Sequence, residues 1–354
     1  MVHLDQLAPR RIALIKPSAL GDIVHALPVL SALRGRFPDA QITWIVNAAY
    51  EPLLIGHPDL TDTLPFDRSA SRRGVRRSLG YAISFAAELR RRRFDLVIDL
   101  QGLFRSGLMC LATRAPRRVG FASAREGSRY TYTDQIRIAD ADRIHAVDRY
   151  WRVAEALGAG HLPKQFHVPI LAAERVWARG ELTGLPRPWI AVGVGAKWVT
   201  KRWPPDHFAD LLGRAAATFG GSCVFVGTAD DTPLAAAVIR QSGGPTKDFT
   251  GKTTLPRLAA LLAEVDVMVA NDTGPLHLAA ALGRPCVAPY TCTQVALHGP
   301  YGRTTGGVET SVACGGSYLK TCPTMICMTD LTPDRLWGRL AEVLDTWARN
   351  SRSA

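Results

Sequence analysis

The sequence predicts an α/β protein with two doubly wound, Rossmann-like parallel sheets. Three observations predict it. Short apolar runs alternate with amphipathic stretches through both halves of the 354 residues, the pattern of parallel strands joined by helices. Residues 158–188 are rich in proline and glycine, with turns at Leu162-Pro163 and Pro186-Arg187-Pro188, and mark a junction. The length suits two domains, each with its own core. The expected division is an N-terminal domain over 1–170, a linker over 171–188, a C-terminal domain over 189–332, and a closing amphipathic helix and tail over 333–354. Ligands of such folds sit beyond the carboxyl ends of the strands.

In the first half, residues 11–16 read as a strand. Gly21-Asp22 opens a helix carrying Ile23, Ala26, Leu27, Leu30 and Leu33. Pro28 lies inside that helix and predicts a kink or a late start, because proline has no N–H to donate. Residues 41–46, 95–100 and 118–122 read as further strands, and 81–92 and 148–157 as helices. In the second half, strands are expected at 189–194, 222–226, 265–270 and 286–289, and helices at 206–219, 232–240, 255–263 and 275–282.

The most informative stretch follows the 265–270 strand: Asn271-Asp272-Thr273-Gly274-Pro275-Leu276-His277. Pro275 suits the first helical position, where an N–H would find no partner anyway. Gly274 permits close approach of the backbone to a ligand. The free N–H groups of a first turn, with the positive end of the helix dipole, suit phosphate. A plain strand-to-helix turn capped by Asp or Thr accounts for the same residues.

Composition narrows the class. Hydrophobic content is 47% and no run of 18 apolar residues occurs, so no membrane-spanning helix is expected. The first eleven residues lack an apolar core of the secretory type. Seven cysteines without such a leader fit a reducing cytoplasm. Cys314, Cys322 and Cys327 do not have the paired CxxC spacing of zinc sites and read as structural or incidental thiols. Net charge is +12, with arginines clustered at Arg72, Arg73, Arg76 and Arg77 and again at 90–93. Such clusters attract phosphates, nucleic acid or an anionic membrane. Residues 90–93 fit the cationic last turn of a helix. The stretch 72–77 shows no helical apolar stripe, and a binding loop competes there with a solvated face.

Several chemistries are disfavoured. No Walker A sequence is present. Gly193-Val194-Gly195 lacks the third glycine of a dinucleotide fingerprint, because Trp198 stands in its place. Asp140-Ala141-Asp142 matches the Asp-x-Asp of metal-dependent sugar transferases, a triplet that arises readily by chance. No HExxH or clustered His/Cys ligand set appears, so no metal site is expected. Phosphate charge would then be met by Lys, Arg and backbone N–H groups, and Lys197, Lys201 and Arg202 stand just past the first strand of the second half. A basic nucleic-acid-binding protein is the non-enzyme alternative. No nucleic-acid motif and no aromatics beside the basic runs support it, so nucleic acid is not an expected partner.

Four segments, in this order, resemble the lipopolysaccharide heptosyltransferases of glycosyltransferase family 9. They are Arg11-Ile12-Ala13-Leu14-Ile15-Lys16-Pro17-Ser18-Ala19-Leu20-Gly21-Asp22, Asp99-Leu100-Gln101-Gly102-Leu103, Lys201-Arg202-Trp203-Pro204, and the 271–277 turn. Residues 120–126 and the basic stretch at 72–77 look most like the branch that adds the first heptose. The resemblance implies a GT-B arrangement of two Rossmann-like domains with a cleft between them. It implies inverting, metal-independent and cofactor-free transfer of heptose from ADP-L-glycero-D-manno-heptose to a hydroxyl of the Kdo–lipid A inner core. It also implies a cytoplasmic enzyme held peripherally at the inner face of the inner membrane. Another nucleotide sugar or acceptor within the same family is the alternative.

The resemblance also distributes roles. Asp22 becomes the general base, since a carboxylate can take the acceptor's proton; by spacing alone it is a helix cap. Lys201 becomes the cation that stabilises the diphosphate leaving group, although most lysines simply lie at the surface. Lys197 assists it. On the donor side, Thr273, Gly274, Pro275 and the following N–H groups hold the diphosphate, and Asp272 orients the donor sugar or the loop. His277 reaches a phosphate oxygen or packs in its helix. Asp231 meets the ribose hydroxyls, and Thr253 lines the adenine pocket. On the acceptor side stand Ser18, Gly21, Arg72, Arg73, Arg76, Arg77, Gln101, Arg105 and Arg125, whose guanidinium forks suit carboxylates and phosphates. Asp22 and the 271–277 turn belong to different domains, so domain closure is expected.

Overall fold

The apolar runs form parallel strands with both faces covered, as their continuous hydrophobicity requires. The computed structural model describes residues 3–72 and 74–352, in two units, Met1–Pro169 and Ile170–Ala354. In the first unit the strands are β1 (Arg11–Ile15), β2 (Gln41–Asn47), β3 (Asp62–Phe66), β4 (Leu96–Asp99), β5 (Arg117–Phe121) and β6 (Asp134–Ile136). The helices are α1 (Leu20–Arg36), α2 (Val75–Arg91), α3 (Phe104–Thr113) and α4 (Ala146–Ala156). The sheet order is β3-β2-β1-β4-β5-β6, with every pairing parallel.

The second unit begins with α5 (Ala172–Leu182), β7 (Trp189–Gly193), α6 (Pro205–Phe219), β8 (Ser222–Phe225), α7 (Thr232–Ser242) and β9 (Thr246–Asp248). It continues through α8 (Leu255–Glu264), β10 (Val267–Ala270), α9 (Gly274–Ala281), β11 (Cys286–Tyr290), α10 (Val295–His298) and β12 (Gly307–Glu309). It ends with α11 (Ile326–Asp330) and α12 (Pro333–Arg352). Its sheet order, β12-β11-β10-β7-β8-β9, is that of the first sheet written from the opposite edge. Each unit is therefore doubly wound. The order reverses between β1 and β4 in the first unit and between β7 and β10 in the second, and that is where such folds bind ligands.

The structure departs from the sequence reading in several places, each with a physical cause. α1 starts at Leu20 and runs on through Pro28, so there is no late start. Burial of Ile23, Val24, Leu27, Val29, Leu30 and Leu33 around it outweighs a proline cost of about 3 kcal/mol. β3 contains Pro65 and lies at the sheet edge, where a missing N–H is tolerated. β6, β9 and β12 are three-residue strands, too short for a period to register. α3 packs through Ser106 and Gly107, with Gly107 against Ser128 and Thr131, so small residues conceal its buried face. Finally, the segment expected as a linker contains α5, whose Ala178 and Leu182 share a core with Val224, Phe249, Ala260 and Leu261.

Candidate active site

At the first switch point, the last register pair of β1 and β4 is Ile15 with Asp99. Lys16 and Leu100 therefore emerge side by side, and the Lys16 ammonium donates to the Leu100 carbonyl at 3.4 Å. Lys16 is only 2% exposed. A buried ammonium needs a counter-charge, and Asp22 supplies it at 3.5 Å. The two oxygens of Asp22 divide the labour. Oδ2 accepts the Ala19 N–H at 3.2 Å and caps α1. Oδ1 faces Lys16 and accepts the Tyr150 hydroxyl from α4 at 2.9 Å. The cap reading and the site reading of Asp22 thus hold together in one side chain.

Burial alone would raise the Asp22 carboxyl. The Lys16 charge, the Tyr150 hydroxyl and the Ala19 N–H outweigh it and hold the group below its ordinary 3.8. Lys16 is the reverse case: burial lowers it, but Asp22 and Tyr150 leave it above 10.5. The pair is ionised throughout the range between. The Asp22 side chain is nonetheless 41% exposed, so a substrate hydroxyl can reach it while its partners stay buried behind it.

Asp99 shapes the loop beside this pair. Its Oδ1 accepts the N–H groups of Gln101 and Gly102 at 2.8 and 3.1 Å, and Oδ2 the Tyr132 hydroxyl at 2.7 Å. Burial pushes its carboxyl up, against these bonds. Gly120 is required here: a Cβ would lie 2.3 Å from the Tyr132 ring. The Arg125 N–H donates to the Gly102 carbonyl at 2.9 Å, which brings the Arg125 loop against Gln101. The Gln101 Oε1 is enclosed without a protein donor, an acceptor open to a ligand. Ser18 and Gly21 precede Asp22 in sequence and are half-buried. Arg105 is exposed on α3, its guanidinium over the Phe66 ring.

Of the loop and the solvated face that compete at the basic stretch, its later part takes the solvated face, at the start of a helix. Arg72 ends a short 3-10 turn, and Arg76 and Arg77 lie exposed in the first turn of α2. Arg73 lies outside the described residues. Only Tyr81, Phe85 and Leu89 supply an inward stripe at four-residue spacing, so periodicity finds the helix from residue 81 and misses its unburied first turn.

The second unit repeats the device. Gly193 pairs with Ala270 at the ends of β7 and β10, so Val194 and Asn271 emerge together. Asn271 is fully buried. Its Nδ2 donates to the Val194 carbonyl at 2.8 Å, and its Oδ1 accepts the Trp203 N–H at 3.1 Å. That bond and the buried Trp203 indole, whose Nε1 donates to the Leu331 carbonyl at 2.6 Å, fix the turn carrying Lys201. Lys201 reaches Asp272 at 2.5 Å. Asp272 also accepts the Thr293 hydroxyl at 2.8 Å and lies 3.2 Å from His277 Nε2. Burial would raise Asp272, but His277 and Lys201 hold it well below the carboxylate range. An ammonium has three donors; one goes to Asp272, and the others can serve a ligand.

Thr273 is the N-cap of α9, with Gly274 and Pro275 opening the helix. His277 is turned toward Asp272. Asp231 is held by its own loop: Oδ2 accepts the Thr228 N–H and hydroxyl, both at 2.8 Å. Its Oδ1 lies where a Cβ on Gly195 would stand. Thr253 is half-buried and precedes Thr254, the N-cap of α8, in a loop joined to Gly227 by the Gly251 N–H. Lys197 is exposed in the loop after β7.

Sequence reading assigned no role to Lys16, Tyr150 or Thr293. A lysine directly after a buried strand, with a carboxylate opening the next helix, is a usable signal for the first. Tyr150 and Thr293 come from distant elements and carry no local one. Cys314 is exposed, Cys322 intermediate and Cys327 buried, all as free thiols.

Two doubly wound units carry charged groups at both switch points, the places where such folds bind ligands. Residues 82–325 match Glycosyltransferase family 9 (heptosyltransferase), and the chain belongs to that family. It is a glycosyltransferase. It is 30% identical to lipopolysaccharide heptosyltransferase 2 of Salmonella typhimurium, over 79% of this chain and 82% of that one. It is 28% identical to lipopolysaccharide heptosyltransferase 1 of Pseudomonas aeruginosa, over 94% and 98%. The solved E. coli ADP-heptose lps heptosyltransferase II superposes with a TM-score of 0.76 at 26% identity, covering 96% and 99% of the two chains. Relatives of both numbered types match, so the first-heptose branch expected above is not singled out. Among the described residues no helix is long and apolar enough to cross a membrane.

Proposed function

We propose that this chain transfers heptose from ADP-L-glycero-D-manno-heptose to a hydroxyl of the lipid-linked Kdo–lipid A inner core, with inversion. The observation that carries this reading is Asp22: a solvent-reachable carboxylate kept ionised by a buried lysine. The relatives' names support the donor and the pathway. In the reaction, the acceptor oxygen bonds to the anomeric carbon as the bond from that carbon to the diphosphate oxygen breaks. The electron pair leaves with the diphosphate and the hydroxyl proton passes to Asp22. Lys201 meets the charge growing on the leaving group, and the first-turn N–H groups of α9 hold it. Thermal stabilisation by ADP-, GDP- and UDP-sugars, followed by transfer of the hits to a deacylated Kdo acceptor, tests the reading. ADP-heptose alone should stabilise and react. Selective stabilisation by another nucleotide sugar would replace the donor, and failure of the Kdo acceptor would replace the acceptor.

Arg76 and Arg77, with Arg125 and Gln101, are proposed to receive the acidic acceptor. Arg76→Glu with Arg77→Glu should raise acceptor KM by about tenfold or more, on the scale of one charge-assisted hydrogen bond. Donor KM should stay nearly constant. Bisubstrate kinetics check this, and equal changes in both constants would remove the arginines from acceptor binding.

A further inference from the structure

The ion pair of the second unit has little net charge to offer a ligand. Lys201 lies 2.5 Å from Asp272, whose side chain is 5% exposed. At a distance such a pair is a dipole, and its field falls off faster than that of a lone charge. Lys201 can still donate hydrogen bonds, but a leaving diphosphate develops net charge and calls for an uncompensated cation. One stands close by. The Lys201 ammonium lies 4.8 Å from the centre of the Trp198 ring, and the Lys320 ammonium 5.5 Å from the same centre. Lys320 is exposed, and among the described residues no carboxylate pairs with it. Arg202, beside Lys201 in sequence, is turned instead to the Ala196 carbonyl at 2.7 Å.

Lys320 comes from far along the chain, and hydrogen bonds to two other loops put it there. The Gly316 and Tyr318 N–H groups donate to the Thr291 and Cys292 carbonyls at 3.1 and 2.8 Å. The residue after Cys292 is Thr293, which bonds Asp272. The Leu319 carbonyl accepts the Thr200 hydroxyl at 2.6 Å, and the Thr200 carbonyl accepts the Thr291 hydroxyl. Residues 316–319 are thereby tied both to the segment that holds Asp272 and to the turn that carries Lys201, and Lys320 follows directly. Trp198 offers both ammoniums a ring face. Two cations at one ring repel each other, and an anion bound between them relieves the repulsion. We propose that Lys320 is a second cation for the donor's diphosphate, set with Lys201 about Trp198. It contacts the phosphate oxygens and supplies the net positive charge that Asp272 takes from Lys201. This deepens the nucleotide-sugar reading and rests on it for the diphosphate.

The test is calorimetric titration of the full chain with ADP, with adenosine as the control that lacks phosphate. Lys320→Met keeps an apolar stem at the Trp198 ring and loses the charge. It should weaken ADP binding by about tenfold, the scale of one charge-assisted hydrogen bond. It should leave adenosine unchanged and flatten the dependence of ADP affinity on salt. Lys320→Arg should retain most of the affinity. Trp198→Leu keeps both charges and should weaken ADP less than Lys320→Met does. Lys320 is exposed, so melting of the free protein should stay as in the wild type. Equal ADP affinity in Lys320→Met and wild type would overturn the proposal. So would an equal loss for adenosine, or a larger loss in Trp198→Leu, since either gives the ring and not the charge the leading part. If the wild type prefers GDP or UDP, the ADP donor falls and the same comparison with that nucleotide decides the role of Lys320. If the wild type binds none of the three, both fall.

Discussion

Asp22→Asn is expected to lower kcat for transfer by about 10²–10⁴-fold, the span of a lost general base, while donor binding survives. The amide keeps the shape of the cap, because its oxygen can still accept the Ala19 N–H. It cannot take the acceptor's proton. The same change leaves Lys16 buried beside a neutral group, so stability should fall too. Loss of a buried partner costs about 3–5 kcal/mol; the half-exposed Asp22 side chain, 41% accessible, places this case below that range. A double variant with Lys16→Met separates the effects. Melting should recover toward the wild type and turnover should not. Near-normal kcat in either variant, with burst and steady-state kinetics in agreement, would remove Asp22 from the chemistry.

The pH profile follows from the same partners. Asp22 is held below its ordinary 3.8, so its contribution to stability is full above that value and is lost as pH falls through the lower folded one. Lys16 is held above 10.5, so its contribution is full below that value and is lost as pH rises through the higher folded one. No limb from this pair therefore falls near neutrality. In Tyr150→Phe the carboxylate loses one hydrogen bond of about 1 kcal/mol, which should move the acid limb toward higher pH.

How much of this was legible in the sequence depends on the range of the interaction. The strands next to each switch point were readable because they are buried on both faces and run as unbroken apolar segments. The 271–277 turn was readable because proline and glycine punctuate it. Asp22 was visible as a residue, but its meaning was not: a helix-opening Asp is ordinarily a cap. What makes it more is Lys16, brought beside it by the β1–α1 turn, and Tyr150, delivered by α4 from far along the chain. The unit-two site shows the same limit. Lys201 and Asp272 stood in recognisable segments, yet their direct pairing required Asn271 and Trp203 to draw two loops together. The first turn of α2 escaped for the opposite reason. It buries nothing, and periodicity reports only what is buried.

Lys201→Ala should have a comparably large effect, and through two separable routes. Removing a fixed cation from a developing oxyanion costs about 10²–10³ in kcat. It also strands Asp272, whose side chain is 5% exposed, with only Thr293 and His277 for partners. Breaking a buried pair from one side costs about 3–5 kcal/mol, so the melting temperature should drop visibly. Asp272→Asn in the Lys201→Ala background removes the stranded charge. If Lys201 acts on the leaving group, the double variant should regain stability while kcat stays low, and Lys201→Arg should retain part of the rate. If instead the double variant recovers turnover with its stability, the role of Lys201 is to neutralise Asp272, and stabilisation of the diphosphate passes to the N–H groups that open α9.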